Sequence, residues 1–363
     1  MTSINTISDK NGVSDEERDL LRRSVRDYLA DIWPADKAVE RINDTQALAT
    51  LWPALAQQGL SSLGCDDAGV GLREIVLVFE ELGRAAAPAP LLGAIAANLA
   101  LSGLASNAAQ VLLDDLHHGK AAFALALGAF DGDAAAGAAT VRDDGLHGTL
   151  AFVEGIETAT HILVFTASPS GVAVVTRDAS GLTVTATPGL AVPPYSQVTF
   201  EGTPALRFDM AGERLDDVAQ IARLACAARA LGSAQRAFDL AVEHVKVRKQ
   251  FGQFVGQFQA IQHKLANGLI NLDGARLAID HSAKAYDEGN RDWRIFAASA
   301  VAFAGPALRA TAVETQRALG AIGYAEEHEA PRHFRRVHAD LVRFGGTPRA
   351  RAQLADFLLG AVS

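Results

Sequence analysis

The order in which sequence patterns follow one another along the chain constrains its fold more than any single motif. The first part has apolar residues at helical spacing, behind a capping-box pattern of Ser14 and Glu17. In the middle part, short β-branched runs alternate with glycine and polar turns, which predicts a compact antiparallel β domain. Within that part, Ala134–Ala139 is interpreted as a low-complexity loop. Helical spacing then returns. We predict an α+β protein with an N-terminal helical domain, a middle β barrel or sandwich and a C-terminal four-helix bundle, over 1–118, 119–211 and 212–363.

Composition places the chain among globular proteins and excludes several functions. Of its 363 residues, 49% are hydrophobic and 21% are charged, and the net charge of -9 argues against nucleic-acid binding. Met1–Asn5 leads into a polar segment, so no signal peptide is expected. The apolar stretch Leu91–Leu101 is too short to span a bilayer. We therefore expect a cytoplasmic protein without membrane segments, and the histidines show no spacing that predicts a metal site.

A turn between two long helical patterns carries the strongest candidate site. Val247–Gln253 reads VRKQFGQ, so a cation, an aromatic residue and a glycine lie together, and Gln259 begins the next helical pattern. A guanidinium such as that of Arg248 can bind a phosphate through two hydrogen bonds, and glycine lets a ligand approach the backbone. A second turn, Gly320–Tyr324, reads GAIGY. From the residues alone, these are a candidate anion site and a helix-ending turn.

Together, the two turns resemble the RKQFG and GGxGY signatures of the acyl-CoA dehydrogenase family, and the α–β–α order resembles its architecture across nearly the whole chain. The resemblance implies an FAD cofactor and an acyl-CoA substrate. It also implies that residues of both turns contact the FAD of a neighbouring subunit. The cofactor-binding residues that it predicts are Arg248, Gln250, Phe251, Gln259, Gly320, Ala321, Gly323 and Thr347.

The family's catalytic carboxylate is missing from both positions where the resemblance would place it. Removal of the weakly acidic proton next to a thioester needs a positioned base. In most of the family this base is the Glu of a Tyr-Glu-Gly-Thr sequence, which matches Phe344–Thr347, so that Gly345 stands in its place. In a minority branch the Glu lies just before an arginine of the first C-terminal helix, and Ala222 occupies that position. We predict no catalytic residue in this chain.

The strand that the family uses to hold the flavin ring is also altered. The Trp-Ile-Thr element corresponds to Phe152–Glu154, and the TEPxxGSD segment corresponds to Leu127–Ala134, which lacks its Thr, Glu, Pro and Ser. Glu154 is either a relocated base at the flavin edge or a strand residue that faces solvent or forms hydrogen bonds. A carboxylate beside a reduced, electron-rich flavin would be unfavourable unless protonated.

Three hypotheses follow from this pattern. In the first, the chain is a degenerate subunit, resembling those of bacterial steroid side-chain acyl-CoA dehydrogenases, that completes the FAD site of an active homologous partner in an α2β2 assembly. Electron-transfer flavoprotein is then the expected electron acceptor. In the second, the chain is a homotetrameric flavoenzyme with an unusual base. In the third, it is a flavin-free scaffold or acyl-CoA-binding protein.

Overall fold

The amino-terminal domain is helical, as its sequence pattern predicts. The computed structural model describes residues 13–42, 44–65, 69–189 and 191–360, so the expectation drawn from Met1–Asn5 lies outside the described residues. The predicted capping box is confirmed: the Glu17 amide donates to Ser14 Oγ over 3.2 Å, and the Ser14 amide donates to the Glu17 carboxylate over 2.7 Å. The described helices of this domain are α1 (Asp15–Ile32), α2 (Ala35–Arg41), α3 (Thr45–Gln57), α4 (Leu72–Ala85), α5 (Leu91–Leu101) and α6 (Asn107–His117).

The middle domain consists of two four-stranded sheets. The first has the order β1-β4-β5-β8 and the second the order β2-β3-β7-β6. Apolar side chains of the two sheets, among them Leu150, Val164 and Phe200, form a common core. The strands are β1 (Phe123–Ala126), β2 (Gly137–Arg142), β3 (Gly145–Glu154), β4 (His161–Ala167), β5 (Ser170–Thr176), β6 (Leu182–Ala186), β7 (Tyr195–Thr203) and β8 (Leu206–Asp209).

Two details of the β domain differ from the prediction. β1 pairs with β4 in parallel, so the domain is not entirely antiparallel. The interpretation of Ala134–Ala139 as a loop is wrong for its second half, because a 3-10 turn ends at Ala136 and β2 begins at Gly137. Alanine and glycine have low β propensity, but pairing with β3 along the whole of β2 overrides that preference.

The carboxyl-terminal domain is a helical bundle built around one long helix. A short ribbon of β9 (Lys249–Gln250) and β10 (Gln253–Phe254) joins its first two helices. α7 and α8 are the two long helices that the sequence predicts on either side of the VRKQFGQ turn, and α8 has the bounds that helical spacing predicts. The helices are α7 (Gly212–Val247), α8 (Gln259–Asp287), α9 (Trp293–Leu319), α10 (Ala330–Asp340) and α11 (Gly346–Leu359).

The amino-terminal and carboxyl-terminal domains are joined where α4 crosses α7. A Cβ atom built on Gly83 would lie 1.9 Å from the Arg229 carbonyl oxygen, and one built on Gly232 would lie 1.7 Å from the Glu80 carbonyl oxygen. Only glycine permits such a close approach of two helix backbones. The crossing fixes where Arg229 lies relative to the amino-terminal domain. The side chain of Arg229 belongs to the site described below.

One segment is apolar and long enough to cross a membrane by length and composition. Within the described part of the chain this is Trp293–Tyr324, which comprises α9 and the 3-10 turn after it, and 56% of its most apolar window is buried inside the protein. Such burial is also found in the core helices of globular domains. The sequence-based expectation considered only the shorter Leu91–Leu101.

Candidate functional site

The predicted phosphate-binding turn is an exposed β hairpin at the end of α7. Gln250 pairs with Gln253, so Phe251 and Gly252 form a two-residue connection between β9 and β10. Arg248 ends α7 and its side chain is exposed, with no hydrogen bond or ion pair to any other residue that the structure describes. Its five N–H donors therefore face solvent and are free to bind an anion.

Phe251 is held in a conformation that its residue type disfavours. Its φ is 53° and that of Gly252 is 82°, so both central residues have the positive φ of a type I′ turn, for which Asn-Gly is preferred. The Phe251 side chain is 93% exposed, and its ring contacts that of Phe258 at 6.3 Å between centroids. An aromatic side chain that combines strain with nearly full exposure is typical of a contact residue, since neither property stabilises the isolated chain.

The GAIGY turn lies at the same end of the bundle as the hairpin. Leu240 and Ala241 of α7 pack in one apolar cluster with Leu319, which ends α9, and Ala330, which begins α10. Gly320 and Ala321 are exposed beyond this cluster, whereas Gly323 is buried. Gln259 is exposed at the start of α8, next to the hairpin. The structure thus places all but one of the predicted cofactor-binding residues at one end of the bundle, and all of these except Gly323 are exposed.

Thr347 is the predicted residue that lies elsewhere. Its hydroxyl packs against the middle of α9, where a Cβ atom built on Gly305 would lie 1.8 Å from Thr347 Oγ1. Thr347 is half-buried at the start of α11. Thr347 therefore lies apart from the hairpin and the GAIGY turn, and its assignment as a cofactor-binding residue stays a prediction.

The first base position leaves no room for a carboxylate. Gly345 has a φ of +77°, and a Cβ atom there would lie 2.7 Å from Cβ of Arg349 and 3.1 Å from the Gly132 carbonyl group. A left-handed backbone is strained for residues with a Cβ atom, and the strain is smaller for Asn and Asp than for the others. A side chain at position 345 would therefore meet both backbone strain and crowding.

The second base position lies in the packed core. Ala222 is 3% exposed on α7. The next residue, Arg223, forms hydrogen bonds with two loops. Its Nε donates to the Phe344 carbonyl oxygen over 2.7 Å, and its Nη2 donates to the Phe130 carbonyl oxygen over 2.6 Å. Burial lowers the pKa of Arg223 to about 10. Arg223, which corresponds to the arginine of the family's Glu-Arg pair, therefore joins two loops.

Glu154 is the centre of a buried charge cluster, which we define as Glu154, Arg229, Asp340, Arg336 and Arg343. Nη1 and Nη2 of Arg229 donate to the two Glu154 carboxylate oxygens over 2.9 and 2.8 Å. Nε and Nη2 of the same guanidinium donate to Asp340 over 2.9 and 2.6 Å. Bidentate geometry of this kind gives the strongest hydrogen bonds between arginine and carboxylate groups.

The charge and hydrogen bonding of this cluster argue against Glu154 as a base. Burial alone would raise the pKa of Glu154, but the Arg229 guanidinium outweighs it and holds that pKa at about 2. Burial raises the pKa of Asp340. A carboxylate with such a low pKa accepts a proton poorly at neutral pH, and its oxygens are already engaged. Of the two interpretations of Glu154, the structure supports the hydrogen-bonded strand residue.

Arg343 is the member of this cluster that contacts Phe152, Tyr195 and Phe344. Its Nη1 donates to the Phe152 carbonyl oxygen, and its guanidinium lies 5.0 Å from the Tyr195 ring centroid and 4.3 Å from that of Phe344. Phe152 has a φ of 59°, and its ring meets Tyr195 edge to face. Arg343 and Phe344 are both buried. Sequence reasoning missed Arg343, although an arginine two residues before the empty base position Gly345 was a visible signal.

The residues of this chain do not fit a flavin ring at its own β3 strand. The resemblance places Phe152–Glu154 along the flavin edge, but the Phe152 carbonyl group and the Glu154 carboxylate are both engaged by buried arginines. At the hairpin, the exposed and unpaired donors of Arg248 suit a phosphate group. No group of His, Cys, Asp and Glu residues that could hold a metal occurs within the described ranges.

Gly345→Glu should not restore a catalytic base, and it should destabilise the chain by about 1–3 kcal/mol because the new side chain meets strain and crowding together. Urea unfolding and an acyl-CoA dye-reduction assay measure the two effects. Gly252→Ala is the matched control: its φ of +82° is similar but no atom lies within 4 Å of the new Cβ, so it should lose only about 1 kcal/mol. Equal losses for both variants would contradict the crowding argument.

Comparison with known proteins agrees with this fold. Residues 215–359 match the family model described as acyl-CoA dehydrogenase, C-terminal domain. Over 332 residues the chain is 30% identical to acyl-CoA dehydrogenase IpdE2 of Mycobacterium tuberculosis, covering 89% of this chain and 91% of that protein. IpdE2 of Mycolicibacterium smegmatis is also 30% identical over 341 residues, which cover 92% and 96% of the two chains.

Solved structures agree over the full length. A variant of the Tcur3481–Tcur3483 steroid acyl-CoA dehydrogenase superposes with a TM-score of 0.84 at 30% identity, covering 96% of this chain and 99% of that chain. A chain of the ChsE4–ChsE5 complex from Mycobacterium tuberculosis has a TM-score of 0.85 at 22% identity, with 97% and 99% covered, which is a likeness of fold. The fold is thus that of the acyl-CoA dehydrogenases. Because two relatives are 30% identical to the chain and match it over more than nine-tenths of their own length, the chain belongs to the acyl-CoA dehydrogenase family.

Proposed function

We propose that this chain is a subunit of an FAD-dependent acyl-CoA dehydrogenase that lacks a base of its own and completes the FAD site of an active homologous subunit. The observation that carries the proposal is a contrast within one chain. The hairpin that would reach a neighbour's cofactor is exposed, and its Arg248 side chain has no partner among the described residues. By contrast, neither base position has room for a carboxylate, and Glu154 at the flavin edge is bound by Arg229. A chain that kept a working site of its own would have no use for a buried Arg343 over that site.

The chemistry divides between the two subunits. FAD in the active subunit would supply the hydride acceptor for α,β-desaturation of an acyl-CoA thioester. The active subunit would also supply the carboxylate that removes the proton next to the thioester carbonyl. This chain would contribute Arg248, whose guanidinium neutralises and orients a phosphate, and Phe251, whose exposed ring covers the adjacent part of the cofactor and excludes water.

An apolar face of the bundle supports assembly with a homologous chain. Ile270 and Leu277 of α8 are largely exposed, and between them the Phe303 ring of α9 packs over Gly274. Contiguous apolar surface of this kind marks a protein–protein interface. We assign it to the partner in an α2β2 hetero-oligomer. Half of the catalytic sites would then be closed, which leaves space for a bulky acyl group at the other half.

A steroid side-chain CoA thioester is the substrate class that we propose. Its support is the 30% identity to a structure solved as a steroid acyl-CoA dehydrogenase. Electron-transfer flavoprotein as the electron acceptor and a cytoplasmic location complete the proposal. Reduction of purified electron-transfer flavoprotein by the complex, and cell fractionation, test these two parts separately.

The two alternative functions have less support. A homotetramer with an unusual base needs a free carboxylate near the former base positions, and Glu154 is engaged by Arg229 with its pKa held at about 2. A flavin-free scaffold would have no reason to keep a strained, exposed Phe251 beside an unpaired Arg248.

The test is to purify the chain alone and after co-expression with a homologous chain that has the family's Glu. Alone, we expect little bound flavin by absorbance and no dye reduction with acyl-CoA. The co-purified complex should be yellow, with about one FAD for each pair of chains, and active. A chain that is yellow and turns over by itself would overturn the proposal in favour of the homotetramer. A colourless complex would favour the scaffold.

A further inference from the structure

A cysteine, a histidine and an asparagine from three segments of the amino-terminal domain meet away from the site described above. Cys65 follows the 3-10 turn Leu60–Ser62, Asn98 lies in α5, and His117 ends α6. His117 Nε2 lies 3.2 Å from Cys65 Sγ and 3.0 Å from Asn98 Oδ1. Asn98 is fully buried, whereas Cys65 and His117 are half-buried, so a small reagent can reach the sulfur.

The hydrogen bonds of Asn98 fix the tautomer of His117. Asn98 Nδ2 donates to the Ser61 carbonyl oxygen over 2.8 Å and to the Leu63 carbonyl oxygen over 2.7 Å. Both amide donors are therefore used, and the Asn98 oxygen must face His117. Because that oxygen is only an acceptor, His117 Nε2 must carry a proton. The Cys65 sulfur also lies within 3.2 Å of His117 Nε2, so this one N–H is shared between the Asn98 oxygen and the sulfur. Burial lowers the pKa of His117, so the ring is a neutral donor at pH 7.

The sulfur of Cys65 receives a second donor from α5. Ser102 Oγ donates to Cys65 Sγ over 3.5 Å. A thiol needs no such donors, whereas a thiolate is stabilised by each of them. The other cysteine has the opposite surroundings: Cys226 is buried on α7, and burial raises the pKa of its thiol to about 12. The two cysteines therefore differ in their surroundings: Cys65 Sγ lies within reach of two hydrogen-bond donors, whereas Cys226 is buried.

We propose that Cys65, with His117 as a positioning residue, is a site of reversible modification by low-molecular-weight disulfides. The Cys65 thiolate, whose proton has passed to water, attacks one sulfur of a small disulfide. A bond between Cys65 Sγ and that sulfur forms while the S–S bond of the reagent breaks, and the departing thiolate takes the electron pair. Cys65 is oxidised and the departing half is reduced, so no further oxidant is needed.

The adduct would act on the packing of the amino-terminal domain. Ser61, whose carbonyl oxygen accepts from Asn98, also donates through Oγ to the His117 carbonyl oxygen over 3.0 Å. A group added to Cys65 enters this junction of the 3-10 turn, α5 and α6 and competes with these contacts. α5 packs directly against β1 and α7. The inference is independent of the proposed function, since it concerns no residue of the hairpin surface or the charge cluster.

The experiment follows the reaction of the folded chain with 5,5′-dithiobis(2-nitrobenzoate), itself a disulfide whose released thiolate is coloured. We expect one equivalent to react fast, with Cys226 reacting only after unfolding. Cys65→Ser should abolish the fast phase, and intact mass should place one adduct on each native chain. His117→Phe should slow the reaction by about 3- to 10-fold, since a lost donor lowers the thiolate fraction but raises its nucleophilicity.

Two controls separate activation from simple exposure. His117→Gln keeps an N–H donor and should retain more of the rate than His117→Phe. His118→Gln changes the adjacent exposed histidine and should leave the rate unchanged. If His117→Phe does not fold, Ser102→Ala removes the second donor and should also slow the reaction. A native Cys65 that reacts no faster than in these donor-deleted variants, or that reacts only on unfolding, would overturn the proposal.

Discussion

Arg229→Met is expected to destabilise the chain by about 3–5 kcal/mol, the largest loss of stability among the changes considered. The guanidinium forms four hydrogen bonds to Glu154 and Asp340, and both carboxylates are buried. Methionine has a similar volume, so packing changes little, but two carboxylates lose their partner in a medium of low polarity. Breaking a buried ion pair on one side has a cost of this size. Urea unfolding at pH 7 measures it.

A matched control lies two turns further along α7. Arg236 also forms a bidentate pair, with Glu329 over 2.6 and 3.1 Å, but its side chain is one-quarter exposed. Arg236→Met should therefore lose only about 1 kcal/mol. Adding Glu154→Gln and Asp340→Asn to Arg229→Met should recover much of the loss, because no buried carboxylate is then left unpaired. Equal losses for the two methionine variants would contradict the assigned role of the cluster.

Arg248→Ala should weaken FAD binding by the assembled complex by about 10- to 100-fold, although Arg248 belongs to the chain without a base. A charge-assisted hydrogen bond contributes about 1.5–3 kcal/mol, and each 1.4 kcal/mol is a factor of ten. Because Arg248 is exposed and unpaired, its loss should not change the stability of the free chain or the size of the complex. Fluorescence titration of the apo-complex with FAD measures the affinity, and gel filtration checks assembly.

Two further variants separate specific contact from general charge. Lys246→Ala removes an exposed cation from the last turn of α7 and should leave FAD affinity nearly unchanged. Arg248→Lys keeps the charge but lacks the planar fork, so it should recover only part of the affinity. If Arg248→Ala and Lys246→Ala behaved alike, the hairpin would act only through its overall charge and the proposed phosphate contact would be wrong.

Much of the fold could be predicted because it depends on local signals. The capping box of Ser14 and the bounds of α8 follow from spacing and residue type alone. The α–β–α order and the family also came from patterns and motifs within short stretches. The start of β2 was not predicted, because its Ala/Gly sequence has little β propensity. Hydrogen bonding to β3 stabilises this strand instead.

The site was harder to predict, because its contacts join distant residues. The partner of Glu154 is Arg229, 75 positions away, and that of Arg229 is Asp340, a further 111 positions away. Each of these residues has an ordinary sequence environment, so the cluster becomes visible only in three dimensions. The crowding at Gly345 could not be predicted either. The sequence shows that the base is absent, but only the structure shows that a side chain at this position would have no room.

The position of Arg229 has a consequence for how the molecule comes apart. Its guanidinium joins a strand of the middle domain to a helix near the carboxyl-terminal end, and its backbone lies against the amino-terminal domain at Gly83. Opening any one of the three domains exposes or unpairs the same charges. The free energy of local opening is therefore shared among them, and the chain behaves as one cooperative unit. The contacts of Arg229 are thus the place where a single substitution is expected to reduce the cooperativity of unfolding of all three domains.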